Sequence, residues 1–340
     1  MKRWIIRNPL QVLLLAIVAF ASVRPDWGQT GAVWHPELAV TLAVSVMFFM
    51  HGVSLPVQDL IDGIRDWKVH SLIQGCTYLG FPLLGLVILK WGPAVIDPAA
   101  CLGFFALSTT SSTIASCIAL TGKSHGRVSI AIFNASISSM LGVFLTPLLV
   151  GVVASQSDLH ISWHDAFEQI GIKILLPFIT GQVFRIIWPI AAFRLASYTT
   201  IVDYLSIGLV VLNALSDSIM NGVFKHTGLF TLLSIVVVSV ALFWVIVVAL
   251  RACCRLLSIP LEDQIAVIFC GSQKSITNGL PIAKILFQGV GAFGLIILPL
   301  IVYHQCQLLF SAFLSDHYVH MHNKKFPMND SSNAASRLSR

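Results

Sequence analysis

The sequence predicts an all-α polytopic membrane protein of ten transmembrane helices, arranged as two inverted five-helix repeats with interrupted fourth and ninth helices. Three observations carry that expectation. Of 340 residues, 56% are hydrophobic and 11% charged, with mean hydropathy +0.84, against roughly 25% charged in a soluble protein. Ten apolar stretches approach or exceed the roughly 20 residues that a bilayer crossing requires. The two stretches that carry unusual polar content occupy equivalent places in the two halves.

The spans fall at about 4–23, 37–55, 70–89, 98–120, 128–153, 167–189, 201–220, 228–250, 264–284 and 289–314. With the N-terminus on the cytosolic side, Arg24, Lys90, Lys225 and Lys284 fall outside, while Lys173 and Lys274 fall within spans. Fifteen of the 21 lysines and arginines remain on the cytosolic side. That asymmetry satisfies the positive-inside rule, and a register one span off would destroy it. It also accounts for the net charge of +6 without a nucleic-acid partner. Both termini are therefore expected in the cytosol, with the protein in a bacterial inner membrane. The charged start MKRWIIR and the apolar run after it resemble a signal peptide, but the charge distribution favours a retained first helix. Seven cysteines, an odd number placed mostly in or beside spans, suggest buried thiols rather than disulfides. Residues 1–322 form one transmembrane unit, with repeats over about 1–155 and 165–322, and the polar composition of 323–340 predicts a disordered tail.

The ninth span contains FCGSQKSITNGLP, Phe269 to Pro281. A lysine at bilayer depth costs about 3 kcal/mol on insertion scales, so Lys274 must face a partner, a cavity or a ligand. Ser272, Gln273, Ser275, Thr277 and Asn278 surround it, and Gly271, Gly279 and Pro281 weaken the helix. The fourth span carries LSTTSSTIAS, Leu107 to Ser116. Its centre near Thr110 precedes Gln273 by about 163 residues, the spacing that also separates the first and sixth spans. Two five-helix units in tandem must lie in opposite orientations, and paired interrupted helices in inverted repeats point to a midplane binding site.

The chain resembles the bile acid:sodium symporter superfamily, solute carrier family 10, most closely its member-7-like branch and bacterial relatives. FCGSQKS with the following NGLP carries the resemblance. It is joined by LPFITGQ (Leu176 to Gln182), AIFNAS (Ala131 to Ser136), LTPLL (Leu145 to Leu149) and, more loosely, MHGVSL (Met50 to Leu55). The resemblance implies a panel of helices 1, 2, 6 and 7 and a core of helices 3–5 and 8–10. In the core, helices 4 and 9 cross at mid-membrane beside the sodium and substrate sites. By position it offers Ser112, Thr113 and Ser116 at the first break, and Asn134 and Ser138 on helix 5. It offers Gln74 and Thr77 near helix 3 and Gln273 on helix 9.

Against that family pattern, Phe269 stands where the symporters have a sodium-binding glutamate, and Lys274 where they have asparagine. Sodium wants oxygen ligands, preferably with negative charge, so the change weakens inherited sodium coupling. Three roles remain open for Lys274. Its ammonium occupies a cation position among freed carbonyls, with proton binding in place of sodium binding; or it pairs with an anionic substrate beside half-helix N-termini; or it is a fixed charge that ties helices 4 and 9 together.

Other polar positions are less specific. Asn213 and Asp217, one turn apart in the seventh span, either face a solute cavity or, for Asp217, a solvated helix end. Glu262 and Asp263 suit the N-terminal dipole of helix 9. His317, His320 and His322 look like a metal cluster, but they are expected in a mobile segment after the last helix, where adventitious metal binding or membrane-surface contact is favoured over a designed site. His51 and His304 are expected as packing histidines. No Walker A loop and no HExxH motif occurs, which excludes chain-borne ATP pumping and zinc proteolysis. The expected function is symporter-like secondary transport, by a monomer in the lipid bilayer, of a small organic, anionic solute. No cofactor is expected, and Na+ or H+ is the coupling ion. The alternative is a non-transporting membrane regulator or scaffold affecting cation homeostasis or envelope and glycan metabolism.

Overall fold

A chain this apolar must satisfy its backbone internally wherever lipid surrounds it, and it does so with helices. The computed structural model describes residues 9–54, 66–154, 168–223, 227–287, 290 and 292–325, and no strand occurs among them. The elements are α1 (Pro9–Val23), the one-turn α2 (Pro25–Gly28), α3 (Pro36–Ser54) and α4 (Trp67–Gly75). A π turn (Cys76–Gly80) joins α4 to α5 (Phe81–Trp91), followed by α6 (Pro98–Thr109), α7 (Ile114–Lys123) and α8 (Val128–Ala154). A second π turn (Gly171–Leu175) leads into α9 (Leu176–Ile187), then α10 (Pro189–Ala196), α11 (Thr199–Met220) and α12 (Leu229–Leu256). The chain continues through α13 (Leu261–Ser272), α14 (Ile276–Leu286) and α15 (Phe293–Lys325).

Helix limits follow local chemistry. Asp97 caps α6 by accepting from the Ala99 amide at 2.8 Å, with Pro98 at the first helical position, where a missing N–H costs nothing. At the end of α7, His125 adopts φ 59° and the Gly126 amide reaches back to the Thr121 carbonyl at 2.8 Å, the left-handed stop that glycine or a polar residue favours. The α12 helix, with mean hydropathy 3.0, leaves Val237, Val245 and Val248 exposed. In a bilayer such a face meets lipid.

Seven helices among the described residues are long and apolar enough to cross a membrane, or eight if the bent pair α6 and α7 is one span. The remaining expected spans fall short of that measure for physical reasons. The start of the first lies outside the described residues. The ninth is divided at Gln273–Ser275 into pieces of 12 and 11 residues. One expectation is corrected: α15 continues to Lys325, so His317, His320 and His322 ride on the last helix rather than after it. His322 stacks on His125 with ring centroids 3.9 Å apart. Of the expected tail, residues 326–340 lie outside the described residues. All seven cysteines are free.

The helices pack in two groups. In one, α3 lies against α9, α10 and α11, and α11 also meets α1 and α2; in the other, α4 to α8 pack with α12 to α15. The groups meet chiefly where α11 touches α14 and α15. At the α3–α9 contact, Gly52 and Gly181 allow the backbones to touch. A Cβ on Gly52 would run into the Phe178 carbonyl, and one on Gly181 into the Phe49 carbonyl. Small residues at such crossings are the usual device for close approach in membranes. Because both obstacles are backbone atoms, no rotamer change relieves them. Gly181→Ala is expected to destabilise the protein by about 1–3 kcal/mol, read as a lowered thermal midpoint in detergent. An equal midpoint would show that the two helices separate freely.

Candidate functional site

The two breaks have local causes and one shared geometry. At the end of α6, the hydroxyls of Ser108, Thr109 and Thr110 donate to the carbonyls three residues back, at 2.6, 2.8 and 2.9 Å. Such side-chain bonds compete with the helical ladder. Thr110 and Thr113 are extended, and α7 leaves the break bent by 65° from α6. In the second break Gln273 and Ser275 are likewise extended. The extended stretches meet, with the Ser275 amide donating to the Ser111 carbonyl at 2.7 Å.

Lys274 sits at this meeting point, 1% exposed. Its ammonium donates to the carbonyls of Thr77, Ser108 and Thr110 at 2.9, 2.8 and 2.8 Å, and it lies 4.2 Å from the centroid of the Phe81 ring. Each acceptor is free for a reason. Ser108 and Thr110 belong to the terminus of α6, whose last carbonyls have no helical partner. In the π turn the Phe81 amide bonds to the Cys76 carbonyl rather than that of Thr77, and the next residue, Pro82, has no N–H. The Thr77 carbonyl is therefore left over. Three acceptors require three donors, which the ammonium has and a neutral amine lacks. The three acceptors match the three donors of an ammonium, and the ring face beside them is of the kind that attracts a cation.

Gln307 of α15 holds the lysine backbone from both sides: its Oε1 accepts from the Lys274 amide at 2.7 Å, and its Nε2 donates to the Lys274 carbonyl at 2.9 Å. Tyr303 donates to the Ser272 carbonyl at 2.7 Å. These two residues escaped the sequence reading. A glutamine in an apolar span is a readable signal; which backbone it serves is not.

Most of the expected residues converge here. Gln273 Oε1 accepts from Thr113 Oγ1 at 2.6 Å and from Ser116. Ser112 donates to the Cys270 carbonyl at 2.7 Å, and its amide donates to Ser138 Oγ at 2.9 Å. Ser275 Oγ accepts from the Asn278 amide and pairs with Thr277 at 2.8 Å. Asn278 Nδ2 donates to Ser111 Oγ at 2.7 Å and Ser139 Oγ at 3.0 Å. Ser272 and Thr77 turn their hydroxyls onto their own helices. Gln74 and Asn134 form a neighbouring pair, Nε2 to the Asn134 carbonyl at 3.0 Å, and Asn134 also donates to His70 at 2.8 Å. Asn213 stands apart: its amide donates to the Gly28 carbonyl of α2 at 2.9 Å.

A cavity of about 480 Å³ opens beside the breaks, between Ser112–Ser116, Ser275–Asn278, and the facing residues His51, Ser54, Thr199 and Asp203. The N-termini of α7 and α14 open into it, and such ends attract anions. Lys274 is absent from its wall, which disfavours a direct ion pair with a solute there. His51 and His304 line this cavity as well as packing. A second cavity, about 440 Å³, lies at the opposite end of α3 and α11 and is lined by Glu37, Asp217, Lys173 and Lys284. Asp217, one of the residues with two readings, accepts from the Thr30 amide and hydroxyl at 2.6 and 2.8 Å and lies 3.7 Å from Lys284. At the far end of the core, Asp263 does more than suit a dipole: Arg127 Nε lies 2.7 Å from its Oδ1.

A chain that is helical throughout its described elements, with seven or eight candidate membrane spans and two interrupted helices meeting beside a polar cavity, is a multi-pass integral membrane protein with the traits of the transporter class. Residues 8–320 match the SBF-like CPA transporter family, and the chain belongs to that family, part of the bile acid:sodium symporter superfamily. Over 321 residues it is 36% identical to "Putative symporter YfeH" of Escherichia coli (94% of this chain, 95% of the relative). It is 36% identical over 305 residues to "Uncharacterized protein PA2026" of Pseudomonas aeruginosa (90% and 91%). It is 28% identical over 317 residues to "Sodium/bile acid cotransporter 7" of Danio rerio (92% of each).

Replacing Gln307 by Leu strips partners from the buried amide and carbonyl of Lys274. Each orphaned group costs about 1–3 kcal/mol. The expected result is a large drop in thermal midpoint, with a milder one in Gln307→Glu, which keeps the acceptor. Equal stability of all three proteins would mean that water replaces the side chain.

Proposed function

We propose that the chain is a secondary active transporter for a small organic anion, working by alternating access with Lys274 as a built-in cation. The observation that carries this reading is the three-carbonyl cage around the lysine ammonium at the helix crossing. Carbonyl oxygens gathered at mid-membrane are what a monovalent cation wants, and here a covalently attached cation already uses them. Gln273 Oε1 is likewise taken by hydroxyl donors, so the donors at the crossing do not fit a further free sodium ion there. The coupling that suits this chemistry is to protons.

The architecture in this reading has ten spans in two inverted five-helix repeats, with α6–α7 and α13–α14 as the broken fourth and ninth. The group of α1–α3 and α9–α11 acts as the panel, and the remainder as the core. The 480 Å³ cavity, facing the N-termini of two half-helices, is the solute site. The charge distribution supports cytosolic termini in a bacterial inner membrane, and a monomer has all the parts required.

Flux in proteoliposomes, with sodium and pH gradients imposed independently over a panel of organic anions from dicarboxylates to sulfated steroids, tests the reading. The expected outcome is uptake that follows the proton gradient and ignores sodium. Absence of flux for every anion under every gradient would favour a regulatory role instead. Lys274→Asn supplies a complementary measurement. Removing the ammonium frees the cage for a soluble cation, so the variant is expected to melt lower and to regain stability with sodium. By mass action that gain is about 2.7 kcal/mol at a hundredfold excess over Kd. A variant unfolded at every sodium concentration would make Lys274 a structural tie only.

A further inference from the structure

Two buried polar atoms at the seam between the helix groups have no hydrogen-bond partner: His51 Nδ1 on α3 and Asn278 Oδ1 on α14. Their side chains adjoin, on the wall of the 480 Å³ cavity. His51 Nε2 lies 2.9 Å from Asp203 Oδ1 of α11, with both side chains largely buried. A neutral imidazole that commits its single N–H to that carboxylate leaves Nδ1 without a proton, in the neighbourhood of the Asn278 side chain. The amide cannot answer as arranged, because its Nδ2 already serves Ser111 and Ser139. Two neighbouring acceptors are then both without a donor, in a place where unpaired polar atoms are costly.

One added proton removes both deficits. An imidazolium donates from both nitrogens, to Asp203 on one side and to Asn278 on the other. We propose that His51 is a proton-binding site of this cavity, with Asp203 as counter-charge, and that the bound proton fastens α3 to α14 through an Nδ1–H to Asn278 Oδ1 hydrogen bond. This deepens the transporter reading by naming the coupling ion and its seat, and it rests on that reading for its consequence in transport. Because α3 belongs to one helix group and α14 to the other, proton uptake and release make and break a link across the moving seam.

The surroundings permit the charge. His51 sits in the last turn of α3, where the helix dipole favours a cation. From α11 come Asp203 and the Tyr204 phenol, and from α15 comes His304, whose Nδ1 lies 3.0 Å from Gln307 Nε2. Arg185 of α9 is engaged with the Val53 carbonyl at 2.9 Å, and Arg194 of α10 is exposed. Lys274, preceding α14, keeps its ammonium in the carbonyl cage. From α1 the cavity receives Gln11, which is neutral. Among the described residues facing His51, Asp203 is therefore the neighbouring carboxylate. Imidazole is also the side chain whose ordinary charge change falls between about pH 5 and 8.

Ring nitrogen NMR tests this directly: the full chain, labelled with 15N in its histidine rings and held in lipid nanodiscs, is titrated between about pH 5 and 9. The His51 signals are those lost in His51→Gln. Expected is a second protonated ring nitrogen as pH falls, with the midpoint lowered by about one unit or more in Asp203→Asn. The midpoint should rise in Asn278→Asp and fall in Asn278→Leu. A His51 ring that keeps one N–H throughout overturns the proposal, since the Asn278 amide then donates to Nδ1 instead. A midpoint indifferent to both Asn278 changes overturns the link across the seam. The near-isosteric Asp203→Asn and Asn278→Asp keep the test usable if Asn278→Leu fails to fold. No solute enters this experiment, so absent flux and an absent titration are separate failures.

Discussion

The structure depends on the satisfaction of three backbone carbonyls by one ammonium group. In lipid an unpaired peptide oxygen has no water to turn to, so an irregular helix survives only where something replaces the lost ladder bond. Two irregularities lie side by side here, the π turn before Pro82 and the end of α6, and together they present the Thr77, Ser108 and Thr110 oxygens. Lys274 is tolerated in this buried place because those oxygens exist, and they are tolerable because Lys274 exists. Pro82 frees one of the acceptors, and its neighbour Phe81 offers a ring face to the same ammonium. Neither the lysine nor the breaks can be understood singly.

Around that centre, side chains replace backbone ladders at several points. Gln307 bonds both polar groups of the Lys274 peptide backbone, Tyr303 takes the Ser272 carbonyl, Thr146 takes the Thr109 carbonyl at 2.7 Å, and Ser112 takes that of Cys270. Each bond joins separate segments, so the crossing is tied to α8 and α15 as one body. A site knitted in this way resists deformation. The seam with α3 and α11 is less filled: both cavities lie there, and buried polar atoms there remain without partners.

Much of this was legible in the sequence, and what was not has a common cause. Apolar runs placed most helices closely: α8 and α12 begin within one residue of expectation. The hydroxyl run LSTTSSTIAS and the polar QKS segment marked both breaks, because a hydroxyl or charge in an apolar helix is a visible anomaly. The partners of Lys274 were hidden because main-chain carbonyls carry no side-chain signature; only the freed geometry reveals them. Asn213 looked equivalent to the crossing residues in composition, yet it serves α2. The histidines of α15 were placed beyond the helix because apolar character fades before the helix does. His51 read as a packing residue, since its pairing with Asp203 spans 152 positions.

A tethered cation changes what the rest of the molecule must do. A free sodium ion binds and leaves, so its gradient can bias a cycle; in the proposed reading an ammonium on Lys274 would stay through the whole cycle. It can stabilise the crossing and lend a positive field to a nearby anion, but it adds equally to every conformation in which the cage persists. A ligand or charge shifts a conformational equilibrium only through differential interaction with its states. In the proposed cycle, directional work would therefore come from a charge that enters and departs at the seam between the two helix groups. The seam at α3, α11 and α14 has the two requirements for such a charge: a carboxylate to neutralise it, and an unpaired acceptor on the opposite group to register its arrival.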